Sequence, residues 1–172
     1  MANNYIYYVE GQNEKKLVDV LKSEFQWIAN GKVFVHNVLT RPIPRASLRQ
    51  IKNNTIAIFL FDTDNEQCGI DLLQENIQTL KSQHHIKDVI TILQVKNIED
   101  ELIRSTDIRK ITDLLQSKSE NGFKNDFNRT DMRRLRQKLE EHHFDIDRLW
   151  VMKGTGIFAE VMNNSAKIRV KH

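Results

Sequence analysis

A chain of 172 residues, 40% hydrophobic and 28% charged, has the make-up of one ordinary globular domain with enough material to bury a core. Its single cysteine, Cys68, excludes an intramolecular disulfide and a multi-cysteine zinc site. No apolar run approaches the roughly 20 residues of a membrane helix, and the first residues lack the basic-then-apolar order of a secretory signal, so a cytoplasmic location is the default expectation. The net charge is +3, and basic residues crowd the second half, including Arg109, Lys110, Arg129, Arg133 and Arg134. That crowding reads either as a solvated helix surface or as a face that contacts phosphates.

Residues 5–9 (YIYYV) are rich in β-formers and predict a strand buried on both faces. Glu10-Gly11-Gln12-Asn13 breaks the run. From Glu14, apolar residues recur at Leu17, Val18, Leu21, Phe25 and Ile28, which is helical spacing with Asn13 as the expected N-cap. Residues 32–38 predict a second strand, followed by a loop holding both prolines and a short helix over 46–51. The most apolar run, residues 56–61 (IAIFLF), predicts a central strand. Ile70, Leu73, Ile77 and Leu80 mark a helical face, and residues 88–95 predict another strand. Helical patterns follow around 98–104, 107–117 and 130–142, then a last strand over 149–152 and a last short helix over 157–162. Residues 118–127 look irregular and predict a loop. Strands alternating with helices imply an α/β fold of three layers, a central and mainly parallel sheet flanked by helices. The whole chain, 1–172, is read as a single domain with a core over about 5–104 and a helical and C-terminal extension over about 105–172.

Ligands of such sheets bind at the carboxyl ends of the strands. Glu10 ends the first strand and Asp62 the third, so both should face one crevice. Asp62-Thr63-Asp64 puts two carboxylates at spacing i, i+2, able to converge on a hard cation such as Mg²⁺, which prefers oxygen ligands and keeps several waters. The alternative for these acids is capping of the next helix or starting a turn. Gly11 permits a sharp turn after the strand through positive φ. Glu14, in the first helical turn, either complements the helix dipole or helps to hold a second cation. Cys68 has no base beside it and is not read as a nucleophile. Gly154-Thr155-Gly156 lacks a complete phosphate-loop pattern. The adjacent pairs His84-His85 and His142-His143 should not face one way on a helix, which argues against zinc.

The run Val9-Glu10-Gly11 with Glu14, then Asp62-Thr63-Asp64 after a hydrophobic strand, resembles the Toprim domain of topoisomerases, bacterial primases, OLD-family nucleases and a small rRNA-maturing ribonuclease. Gly69 resembles the glycine that follows the D-x-D in several members, with a longer spacer. The resemblance covers residues 5–95 and is nearest to OLD-type nucleases through the E-G-x-x-E spacing. It implies Mg²⁺ or Mn²⁺, one or two ions, held by Asp62 and Asp64 with Glu10 as ligand or general acid/base, and Glu14 as a further ligand. It also implies a third acidic position after the fourth strand, where Glu99 is preferred over Glu101; an acidic first helical turn is the alternative. A late catalytic lysine is implied too, with Lys124 and Lys153 as candidates.

The activity so implied is metal-dependent hydrolysis of DNA or RNA phosphodiester bonds, in phage defence or RNA processing. The chain carries no topoisomerase-type tyrosine domain and no OLD-type ATPase, so a separate ATPase or other partner protein is an expected companion. The alternative is a non-catalytic nucleic-acid-binding or regulatory module. A receiver-like phosphoacceptor with Asp62 as the modified residue ranks last, because it calls for an acidic pair where Glu10-Gly11 stands. The segment 107–145 is open to three roles: recognising substrate, forming a homodimer, or docking a partner.

Overall fold

Seven consecutive buried residues, from Thr55 to Phe61, make up most of strand β3 (Thr55–Asp62). A strand buried on both faces needs partners on both edges and layers above and below. β3 has both. It pairs in parallel with β1 (Asn4–Val9) and β4 (Ile86–Gln94), and β1 pairs in parallel with β2 (Lys32–Val35), giving the order β2-β1-β3-β4. The computed structural model describes residues 2–64 and 69–170. Cys68 lies outside the described residues.

Alternation along the strands sorts the core into two layers. On one side Tyr7, Val9, Ile58, Leu60, Ile90 and Ile92 pack against α1 (Gln12–Ser23), α4 (Ile98–Ser105), α5 (Ile111–Leu115), α6 (Glu120–Arg129) and α7 (Met132–Glu141). On the other, Tyr8, Phe59, Phe61 and Leu93 meet α3 (Ile70–Lys81) and the loop that carries the short helix α2 (Arg45–Leu48). The result is the three-layer α/β fold expected from the strand and helix alternation. The extension contributes Phe123, Leu135, Leu149 and Trp150 to the same core cluster as the strands.

Several local expectations are corrected. Gly11, not Asn13, is the N-cap of α1. Its φ of −146° is extended, so the glycine does not serve a left-handed turn. Its lack of a side chain makes room instead: a Cβ there would stand 2.8 Å from Glu14 Oε2. β2 stops at Val35 rather than running to residue 38. The helix expected over 107–117 shortens to α5. Residues 120–129 are helix, not loop: Ser119 caps the start by accepting from Gly122 N–H at 3.0 Å, and Phe123 and Phe127 bury one face.

No strand forms over 149–152. Trp150 has a φ of 57°, and its N–H donates to the Glu101 carboxylate at 2.9 Å instead of to a sheet neighbour. The free edge of β4 is covered from further along, where Asn164 N–H donates to Thr91 O at 2.9 Å and Thr91 Oγ1 donates to Met162 O at 2.5 Å. The last helix expected over 157–162 is a single 3₁₀ turn, Gly156–Phe158.

Gly69 caps α3 in the left-handed region, with φ 106°, and a Cβ there would lie 2.7 Å from Leu39 Cβ and 2.9 Å from Leu39 O. Strain and crowding act together, so Gly69→Ala is expected to destabilise the protein by more than about 1 kcal/mol. Urea unfolding checks this: the midpoint should fall with the m-value unchanged.

Candidate metal centre

Parallel strands deliver their carboxyl ends to one edge. Val9 is in register with Leu60, and Asp62 with Gln94. Glu10 and Asp62 therefore meet side by side, and the Asp62 N–H donates to Glu10 Oε2 at 3.1 Å. Thr63 pins the same strand end to β4, with its N–H donating to Gln94 O at 3.0 Å and Lys96 O at 2.8 Å. That leaves the exposed Asp64 at the rim.

A pocket of about 330 Å³ opens at this edge, and Glu10, Glu14, Asp62, Asp64 and Glu99 all line it. They arrive from β1, α1, β3 and α4, so the topology brings together five acids that are scattered in the sequence. Lys124 and Asn128 reach the same pocket from α6. Lys124 Nζ stands 3.4 Å from Glu99 Oε1 and is itself 57% exposed. One solvated ammonium group at that distance leaves most of the negative charge unbalanced. Glu99 Oε1 is buried and accepts no hydrogen bond among the described residues.

The electrostatics follow from this crowding. Burial pushes the Asp62 carboxyl up to about 9; the negative charge of Glu14 adds to it, the Gln94 hydrogen bond opposes it, and Glu10 and Asp64 raise it further. Glu14, only 5% exposed, is raised by burial and then by Glu10 and Glu99, against backbone hydrogen bonds at the start of α1. Glu10 is raised by burial and by Asp64, against the hydrogen bond from Asp62 N–H.

Two further residues hold the site, and the sequence did not single them out. Gln94 Nε2 donates to Asp62 Oδ1 at 2.6 Å, and Gln94 Oε1 accepts from Trp150 Nε1 at 3.2 Å. The indole N–H can only donate, so it fixes which way the buried amide points. A polar residue closing the apolar run of β4 was the available signal. Glu101, the weaker candidate for the third acid, is fully buried and committed elsewhere. It accepts from Val95 N–H and Trp150 N–H at 2.9 Å each and pairs with Arg104 at 2.7 Å. Lys153 is exposed and does not line the pocket. His142 and His143 both lie beyond α7 and do face one way, each placing Nδ1 on Asp107, at 3.1 and 2.7 Å.

The donor set suits a hard divalent ion, since every anionic group at the pocket is a carboxylate oxygen. Among the described residues the carboxylates line the pocket without closing on one point: no three acidic, imidazole or thiol groups are drawn up to enclose an ion. No family model, curated protein or solved structure matches the chain at a significant level. No described helix is long and apolar enough to cross a membrane.

A carboxyl whose folded value exceeds its unfolded one binds its proton more tightly in the native state, so its contribution is lost as pH rises. For Asp62 the window runs from about 4, the ordinary value, to about 9. Metal-free protein should therefore lose stability across that range. Asp62→Asn should raise the metal-free Tm at pH 8 by at least about 2 °C. Mg²⁺ should raise the Tm of wild type at pH 8 and leave the variant nearly unmoved. Thermal melts in EDTA and in Mg²⁺ check both.

Proposed function

We propose that the chain is a Toprim-type, divalent-cation-dependent nuclease that hydrolyses phosphodiester bonds of DNA or RNA. The observation that supports this most is the convergence of five carboxylates from four elements on one open pocket with a single lysine among them. Structural acids pair with cations or cap helices where they stand. Glu99 has Lys124 and Glu14 has the start of α1, but Glu10, Asp62 and Asp64 have no cation partner among the described residues, and their arrangement agrees with the Glu-Gly and D-x-D motifs that resemble the Toprim domain.

In this reading Glu10, Asp62 and Asp64 hold Mg²⁺ or Mn²⁺, with Glu14 and Glu99 placed to complete a second position. Divalent ions, when bound, stabilise the attacking and leaving oxygens of an in-line displacement. The chain's own groups do the rest. Gln94 occupies Asp62 Oδ1 and leaves Oδ2 for ligation. Glu10 Oε2 is occupied by the Asp62 N–H, and its Oε1 serves either as the metal ligand or, where the ion sits on the aspartates alone, as the general acid/base. Burial raises the affinity of Glu10 for a proton. Lys124, at the pocket's α6 wall, meets negative charge on the phosphate. Lys153 has no part in this arrangement.

The test is cleavage of labelled single- and double-stranded DNA and RNA in Mg²⁺ or Mn²⁺. Wild type should cut at least one substrate, EDTA should abolish cutting, and Asp64→Asn should slow it by about 100-fold or more, the scale of losing one charge-stabilising group. Cutting that survives EDTA or Asp64→Asn would refute the assignment. Binding without cutting would point to the non-catalytic module.

A further inference from the structure

The acidic pocket does not end at Lys124. A second groove, of about 430 Å³, continues from it and shares Asn97, Glu99 and Lys124 with it. Arg109, Lys110 and Asn121 line the far part of this groove. On α6 the positions 121, 124 and 128 are spaced three and four apart, so Asn121, Lys124 and Asn128 form one face. That face runs from the second groove into the first. Its seven-residue span is about 10 Å of helix, the length of about three stacked nucleotides of one strand.

Arg109 and Lys110 stand in the linker between α4 and α5, and both are exposed. Three acids, Glu99, Asp100 and Glu120, line the groove beside the three cations Arg109, Lys110 and Lys124, so it is not a uniformly positive surface. Among the described residues neither Arg109 nor Lys110 has a carboxylate within ion-pairing reach of its side chain, a state shared with Lys118, Arg129, Arg133 and Arg134; what sets these two apart is that they line the groove next to the acidic pocket. Arg136 and Lys138, by contrast, are engaged, with Glu140 at 3.0 Å and Glu141 at 2.6 Å. An exposed arginine with no partner keeps its planar fork of donors free for phosphate.

We propose that this groove holds the nucleic-acid strand on one side of the bond to be cut, with Arg109 and Lys110 on its phosphates and the α6 face beneath it. The proposal rests on the phosphodiester reading of the acidic pocket. It assigns direction to the site: the metal end takes the reacting phosphate, Lys124 stands at the junction, and the basic end takes the phosphates that follow. It also gives the segment 107–145 substrate recognition as its role.

The test uses Arg109→Ala/Lys110→Ala beside Lys52→Ala/Lys81→Ala, a pair of equal charge change. Lys52 lies by the amino ends of the strands and Lys81 on α3, both remote from the groove. All four side chains are exposed, so neither variant opens the core. Binding of fluorescent single-stranded 20-mers of DNA and RNA is measured in Ca²⁺ over a salt series, and cleavage kinetics are measured in Mg²⁺. The groove variant should bind about tenfold more weakly, and the slope of log K against log [salt] should shrink by about 1.4, about 0.7 for each lost phosphate contact. Its KM should rise with kcat nearly unchanged, while the control pair matches wild type.

An unchanged salt slope and KM in the groove variant, with wild type still cutting, would overturn the groove assignment and leave the nuclease reading intact. A shrunken slope with no cutting by wild type would uphold the groove and overturn the nuclease reading. Equal weakening by the control pair, or no binding of either oligonucleotide by wild type, would overturn the groove assignment.

Discussion

Carboxylates gathered at the carboxyl edge of a parallel sheet, with too little positive charge among them, are the constraint around which this protein is built. Parallel pairing sends every strand the same way, so the acids that follow β1 and β3 have no choice but to meet. Glu14 and Glu99 join them from the first turns of α1 and α4, where helix dipoles favour negative charge. The dipoles and a few N–H donors offset part of the repulsion. In Asp62 burial, with the charges of Glu14, Glu10 and Asp64 added to it, pushes the carboxyl up to about 9. A fold that concentrates like charges in this way sacrifices stability for a site, a trade that functional centres commonly make.

The extension completes the site instead of decorating it. Trp150 fixes the amide of Gln94, and Gln94 fixes Asp62. Glu101 ties Trp150 to the start of α4 through its backbone N–H, so the helix that carries Glu99 and the segment that carries Trp150 are set by one buried carboxylate. Every lone pair that matters on Glu101 is used, which is the condition under which a buried charge is tolerated. α6 then closes the pocket from the other side, held by Phe123 and Phe127 in the core and by Asn128 Nδ2 donating to Asn13 Oδ1 at 2.5 Å.

How much of this was legible in the sequence depended on how local the signal was. The run 56–61 announced β3 because its apolar residues are contiguous, and a strand end followed by D-x-D placed Asp62 and Asp64 without any long-range information. The three-layer fold followed from alternation alone. α6 was not legible, because only Phe123 and Phe127 mark its buried face and Gly122 interrupts it; its helical state depends on the tertiary contacts those two rings make. The 149–152 segment misled for the opposite reason. It carries strand-like residues, but the hydrogen bond to Glu101 and the left-handed Trp150 backbone could not be foreseen. Periodicity did carry one unread message: Ile98, Leu102 and Ser105 define the buried face of α4, and Glu101 falls on it, leaving Glu99 toward the pocket.

At Gly11 the requirement is for space and not for an unusual backbone. Its conservative backbone needs no glycine, yet its neighbour Glu14 needs the space that a side chain would take. Crystals of the protein soaked in Mn²⁺ and measured for anomalous scattering would test the central claim most directly. The expected result is a Mn²⁺ peak among Glu10, Asp62 and Asp64 that disappears in Asp62→Asn. Mn²⁺ bound elsewhere on the surface, with the five carboxylates left to water and protons, would contradict it.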